Sequence, residues 1–318
     1  MSPALPRVRL AGACPADVSA VRRQLGPVDD AGDPGVVVTF VDGLASGSPA
    51  ELSVEGPAGP WRLTCRRGLG RVPFLVEAVR LACLGAGVLP LHAAAFSVDG
   101  AGVAVTGWTG SGKTGALLAF LSGGASHIAA EWVLIEDGQG LRGIAQPVRV
   151  RDWHLRQLPG LWSRLPRGDR ARLRLLRAAT GTDGPARRRI EGRLQVDLAP
   201  NRLPGPEGGA EPGLRRLFVV EAAAAATPEV RRLDPAEAAE RVVSVLEHDL
   251  LGVRAECLRA RCRGRPELGA VVDDMEERQR RLVGRSLAGH EVLLVRHRHR
   301  GSLAALHAAM RPHVQAGP

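Results

Sequence analysis

Residues 103–121 read VAVTGWTGSGKTGALLAFL: an apolar run meets a glycine-rich turn, and an apolar segment with helical spacing follows. Gly107, Trp108, Thr109, Gly110, Ser111, Gly112, Lys113 and Thr114 spell G-x-x-x-x-G-K-T between an expected strand, Val103 to Thr106, and an expected helix, Thr114 to Leu121. Glycines let the backbone curl so that successive N–H groups face phosphate oxygens, and the helix adds its positive end. Gly107, Thr109, Gly110, Ser111, Gly112, Lys113 and Thr114 are therefore the candidate contacts to a nucleotide's phosphates. In such a loop the lysine reaches the β and γ phosphates, and the Thr114 hydroxyl suits a bound magnesium.

Composition argues the same way. Lys113 is the only lysine among 43 basic residues. A bias that placed arginine everywhere else left a compact ammonium on a flexible stem at the one position where a planar guanidinium fits poorly.

The chain of 318 residues, with 45% hydrophobic and 24% charged residues, has the composition of a soluble globular protein. No stretch of about 18 uninterrupted apolar residues occurs, and the N-terminus lacks a signal-like apolar run, so a cytoplasmic protein that does not enter the membrane is expected. Five cysteines, Cys14, Cys65, Cys83, Cys257 and Cys262, form no C-x-x-C pair and read as idle thiols rather than disulfides or zinc ligands. The net charge of +10 invites nucleic acid, but aromatics are only 3%, so base-stacking platforms are scarce and nucleic-acid binding is disfavoured. An anionic substrate or acidic peptide fits the arginine excess better.

Outward from the loop, LPLHAAAFSV and AGVAVTG flank Asp99-Gly100, a strong hairpin signal, so the strand carrying His92 should neighbour the one that feeds the loop. Upstream, VRLAG, GVVVTFVDG, ELSVEG and WRLTCRR read as short strands, and 72–84 as a helix. This gives a small β-rich region at 1–72 and a larger domain at 73–318.

Downstream, HIAAEWVLIEDGQGLRGIAQPVRV reads as two or three antiparallel strands turning at Asp137-Gly138 and Gly140. The segment 153–179 reads as helix broken by Pro159 and Pro166, its arginines a solvated face, and 181–213 as a loop or lid. LFVVEA reads as a buried strand. Asp234, Pro235 and Glu237 open a helix expected to reach about Leu251. Another helix is expected over 266–287, then the strand HEVLLVRH, and a last helix capped by Ser302. HRHR at 297–300 reads as a solvated strand end, with metal or phosphate binding as the alternative.

The order of these pieces resembles the HPr kinase/phosphorylase superfamily and its smaller HPr-kinase-like relatives. Leu91-His92, the hairpin, Gly107 to Thr114 and the segment HIAAEWVLI carry the match, over about residues 88–136. The resemblance implies an α/β fold with a mixed sheet and a phosphoenolpyruvate-carboxykinase-like P-loop core. It also implies an ATP- and Mg2+-dependent kinase that transfers a γ-phosphoryl group to a serine hydroxyl. By position the family's aspartate pair falls on Ala130 and Glu131, leaving one carboxylate as magnesium ligand or base, with Glu136 or Asp137 to compensate. His92 would lie near the phosphates. Lys113, Glu131 and His92 are thus the catalytic candidates, and Thr114 and Glu131 the metal ligands.

The E-I-R-G-type segment of bifunctional HPr kinases is missing, which favours relatives that phosphorylate peptide precursors. A peptide or small protein bearing a hydroxyl is the expected partner. The alternatives are a small-molecule kinase, a nucleotide-binding module, or a partner-regulated ATPase using Glu221 at the end of LFVVE. Arg296 and the arginines of 181–193 are candidate substrate contacts. The acceptor, ATP against GTP, and monomer against homo-oligomer stay open.

Overall fold

The computed structural model describes residues 6–28, 33–44, 47–56, 59–136, 140–180, 193–206, 211–224 and 227–315. It is a mixed α/β structure that divides into two compact units, each assembled from three separate stretches of chain.

The first unit takes in 1–92, 132–145 and 234–290. Strands β1 (Val8–Ala11), β2 (Val36–Val41), β3 (Ala50–Val54) and β4 (Trp61–Arg66) form a sheet in the order β1-β2-β4-β3. Burial alternates along β2 and β4, which is the period-two pattern of strands with one covered face. The helix Leu75–Gly85 packs against this sheet. Strand β5 (Leu89–Val98) begins in this unit, where Leu89 to His92 pair antiparallel with β8 (Trp132–Glu136), and β8 pairs with β9 (Gly140–Gly143). Four further helices, Pro15–Leu25, Pro235–His248, Leu251–Cys262 and Glu267–Leu287, belong to it.

Two of these helices depart from expectation. Pro15–Leu25 is a helix in a region where only short strands are expected. Its signals are nonetheless local: Pro15 at the first position and Asp17, whose carboxylate accepts the Cys14 N–H at 3.1 Å. Leu251–Cys262 also went unread, because the chain turns at Asp249 and Leu250 and starts a new helix. This helix is tied down by Arg254, which bonds Glu276 and Asp273 on the next one.

The second unit takes in 93–131, 146–233 and 291–318. Its sheet runs β13 (Glu229–Arg232), β14 (Glu291–His297), β12 (Leu214–Ala222), β6 (Ala101–Thr106) and the later half of β5, which also pairs with β7 (Ser126–Ala129). β14, β12 and β6 are mutually parallel, and β5 and β6 are antiparallel, joined at Asp99 and Gly100. Both turn residues have positive φ, 51° and 80°, the geometry that a two-residue hairpin of right-twisted strands requires.

The helix Lys113–Ser122 is buried nearly all round. Leu117, Leu118 and Phe120 enter a core with Phe96, Phe218 and Met310. Leu303–Gln315 packs on it, and Ser302 Oγ accepts the Ala305 N–H at 3.1 Å as expected of a cap.

Within 181–213, residues 195–198 are not loop. They form β11 (Gln195–Leu198), antiparallel to β10 (Val148–Arg151), because two buried side chains, Val196 and Leu198, anchor an otherwise polar stretch. The rest of the expected lid through 192 lies outside the described residues, as does the Asp137-Gly138 turn. The segment 152–180 is helix in three pieces, Asp152–Gln157, Gly160–Arg164 and Arg167–Thr180, interrupted at the two prolines. Its arginines are not all solvated: Arg177 donates to Asp152 at 2.6 Å and lies over the Trp162 ring, and Arg172 reaches the Arg193 and Gln195 carbonyls.

At the start of Pro235–His248, Asp234 Oδ1 accepts the N–H groups of Ala236 and Glu237 at 2.9 and 3.0 Å. Glu237 itself turns to Arg241. Asp234→Ala leaves these donors without their cap and is expected to lower stability by about 1 kcal/mol in urea denaturation. An unchanged midpoint would show the cap to be idle.

Candidate functional site

The loop 107–112 lies wholly in the second unit, at the end of β6 and ahead of the helix Lys113–Ser122. Three of its glycines have positive φ: Gly107 at 142°, Gly110 at 83° and Gly112 at 117°. Two also have no room for a side chain. A Cβ on Gly107 would fall 2.3 Å from the Val220 carbonyl oxygen of β12, and one on Gly112 would fall 2.4 Å from the His297 ring. The glycine spacing is thus imposed by neighbouring backbone and a histidine as well as by loop curvature.

Lys113 is 8% exposed and curls back, its Nζ donating to the carbonyls of Gly107 at 2.5 Å and Trp108 at 3.2 Å. The Ser111 N–H closes the turn onto Trp108 O at 3.0 Å. Ser111 Oγ is buried and has no hydrogen-bond partner among the described residues. A buried hydroxyl without a partner costs free energy, and such a group in a native loop points to something it is built to meet. Thr109 is exposed, and Thr114, first-turn neighbour of Lys113, is partly exposed. Trp108 presents 46% of its surface to solvent.

The orphan hydroxyl, the side-chain-free glycines and the buried ammonium fit a polyphosphate. Thr114 would supply one oxygen to its magnesium. Among the described residues no cluster of three or more His, Cys, Asp and Glu side chains forms a protein-only metal cage.

Glu131 lies in the same unit. Its carbonyl accepts the Ala93 N–H at 3.0 Å, and Ala93 is the register partner of Thr106, the residue before Gly107. The Glu131 backbone is therefore separated by one strand, β5, from the strand that feeds the loop. Ala130, beside it in the chain, is buried, 3% exposed.

His92 belongs to the first unit. Its Nδ1 is 2.7 Å from Asp249 Oδ2, and its ring stacks on Trp132, the centroids 4.8 Å apart. Trp132 carries the Arg80 guanidinium on it at 4.3 Å, and complete burial pulls Arg80 down to about 10. The structure thus gives His92 a carboxylate partner that the sequence did not reveal. Glu136 is in this unit as well, 3.7 Å from Arg142, while Asp137 lies outside the described residues.

Glu221, at the end of β12, is held by Arg296 at 3.0 Å, so the acid of the alternative reading and one arginine proposed for substrate hold each other. Of the other arginine candidates, those in 181–192 lie outside the described residues.

The strand end 297–300 is not simply solvated. His297 is 6% exposed, its Nε2 2.6 Å from Ser111 O, and His299 Nδ1 is 3.2 Å from Gly110 O. The sequence signal was the HRHR run itself, but no local pattern said which carbonyls it would meet.

Beneath the loop helix, His154 Nδ1 accepts the Arg151 N–H at 3.0 Å, and Gly115 is the close-approach point for Trp153 and Leu303. Burial, reinforced by Arg151, pulls His154 down to about 3. His127, also buried, is pulled down to about 4.

Compared with known proteins, the sequence matches no family model and no curated protein. Among the described residues no helix is long and apolar enough to cross a membrane.

Two outcomes are expected. Ser111→Ala removes a hydroxyl that bonds nothing in the fold. It should leave stability without nucleotide unchanged or raised by up to about 1 kcal/mol, while weakening nucleotide binding; a large loss of stability would contradict the orphan assignment. For pH, a neutral His154 contributes stability that is fully present above about pH 6.5, the free imidazole value. That stability is lost as pH falls toward about 3, because the unfolded chain takes up the proton first. His127 adds to the same limb. His154→Asn keeps an acceptor for Arg151 and should flatten that limb in acid unfolding followed by circular dichroism; an undiminished limb would mean that His154 is charged in the fold.

Proposed function

We propose that this chain binds a nucleoside triphosphate at residues 107–114 and transfers its γ-phosphoryl group to a hydroxyl, the acceptor being serine in a peptide or small protein. The observation that carries the nucleotide half is the loop itself: a buried Ser111 hydroxyl without a hydrogen-bond partner among the described residues, and a buried Lys113 ammonium, within a turn where Gly107 and Gly112 have no room for a side chain. The transfer half rests on the resemblance to HPr-kinase-like proteins over 88–136, and on the backbone link from Glu131 through Ala93 to the strand that feeds the loop.

In this reading the loop N–H groups and the helix amino end take the phosphate oxygens, and Lys113 leaves the Gly107 and Trp108 carbonyls to neutralise charge on the transferring group. Charge neutralisation at the phosphates is the chemistry that a bound magnesium would supply there. Thr114 would hold it with Glu131, or Glu131 would take the hydroxyl proton; glutamate is one methylene longer than aspartate and so reaches farther from the same backbone position. His92, the remaining catalytic candidate, lies in the first unit with its Nδ1 against Asp249.

A second reading, an ATPase regulated by a partner, is favoured by one observation: β12 lies directly beside β6 in parallel, ending in Glu221. Its ion pair with Arg296 speaks against a free magnesium-site acid.

The test is incubation with Mg-ATP and a panel of serine-containing peptides, followed by mass spectrometry. A gain of one phosphoryl group on an acceptor, abolished by Lys113→Ala and cut by at least about a hundredfold in Lys113→Arg, is expected, since a fixed planar fork cannot follow the phosphate as an ammonium can. Hydrolysis without any acceptor would move the assignment to the ATPase, and absence of both activities across the panel would overturn it.

A further inference from the structure

The run HRHR was set aside as a solvated strand end, yet it supplies two contacts to the loop backbone from β14, a strand separated from β6 by β12. His297 is the last residue of β14, and His299 lies in the turn that follows it. His297 Nε2 lies 2.6 Å from Ser111 O and His299 Nδ1 3.2 Å from Gly110 O, so two successive carbonyls of the loop are met by a histidine at the strand end and one in the turn after it. That turn is itself braced: the Gly301 N–H donates to Arg298 O at 2.8 Å, and the Gln157 side chain bridges the Gly301 carbonyl and the Leu303 N–H.

The chemistry of the contact is one-directional. A carbonyl oxygen only accepts, so the 2.6 Å contact requires a proton on His297 Nε2. The other ring nitrogen, Nδ1, lies 3.0 Å from a second carbonyl, that of Arg298. A neutral ring can donate to only one of the two. The shorter and buried bond is the one to Ser111.

Fixing that carbonyl has a geometric consequence. In a trans peptide the carbonyl and the following N–H point in opposite directions. Holding Ser111 O toward His297 therefore turns the Gly112 N–H away from the histidine. The same ring stands 2.4 Å from where a Gly112 Cβ would be, so the histidine requires glycine there and sets the direction of that glycine's amide.

We infer that His297 is a positioning residue for the phosphate loop: through Ser111 O it orients the Gly112 N–H toward bound phosphate, while His299 steadies the Gly110 carbonyl beside it. This rests on the proposed use of residues 107–114 for a nucleotide. His297 does not touch the phosphates; it holds the amide that does. A loop braced before the ligand arrives loses less freedom on binding.

The test compares calorimetric titration of ATP with magnesium into the wild type, His297→Gln and His297→Leu, with melting temperatures recorded without nucleotide. Glutamine keeps an N–H donor, whereas leucine has comparable bulk and none. Leucine should weaken ATP binding by about tenfold or more, glutamine by no more than about threefold, and His299→Ala by about threefold. Equal binding by all variants overturns the inference, as does an equal loss in Gln and Leu, which would assign the effect to ring shape.

A measurement on the unmutated protein needs no folded variant. The buried Nε2 proton of His297 should give a slowly exchanging downfield imidazole resonance that shifts on addition of ATP. An unmoved resonance in protein shown to bind ATP refutes the positioning role while leaving the nucleotide reading intact. A wild type that binds no ATP overturns both.

Discussion

The second unit depends on one close approach: the backbone of residues 107–112 presses against the Val220 carbonyl on one side and the His297 ring on the other. Only chain without side chains fits there. Gly107 and Gly112 satisfy that demand at positive φ, and the strands behind them, β12 and β14, are held in parallel register to Glu221↔Arg296 and Ala222↔His297. The loop's shape is consequently a property of the sheet, since a slip of β12 or β14 would remove the surfaces against which the glycines are fitted.

Behind the loop the packing leaves little slack. Lys113–Ser122 is buried on most of its circumference, which a helix tolerates only when its neighbours cover every side. Here the sheet, the helix Leu303–Gln315 and the segment around Trp153 and His154 supply that cover. The neutral His154 belongs to the same logic, its acceptor nitrogen spent on the Arg151 N–H in a place where a charge would be costly.

The first unit solves a different problem. Arg80 is buried with its Nε and Nη1 lacking hydrogen-bond partners among the described residues, while its Nη2 donates to Leu246 O at 3.1 Å and its plane lies on Trp132. Stacking on an indole is a way to bury a guanidinium that has too few acceptors. The same indole carries the His92 ring, and Asp249 fixes that ring's other coordinate, so His92 is an oriented imidazole rather than a lone histidine on an apolar strand.

Much was legible locally. The phosphate-loop spacing with its single lysine, the Asp99-Gly100 hairpin, the Asp234 cap and the two proline breaks each depend on residues within a few positions of one another, and local steric and hydrogen-bonding rules act at that range. What joined His297 to Ser111, Asp249 to His92, β11 to β10, and three separate stretches into each unit was decided by tertiary structure. Those partners stand from 44 to 186 positions apart in the chain, where pairing is settled by which buried faces can be covered together, and no periodicity of the sequence records that choice.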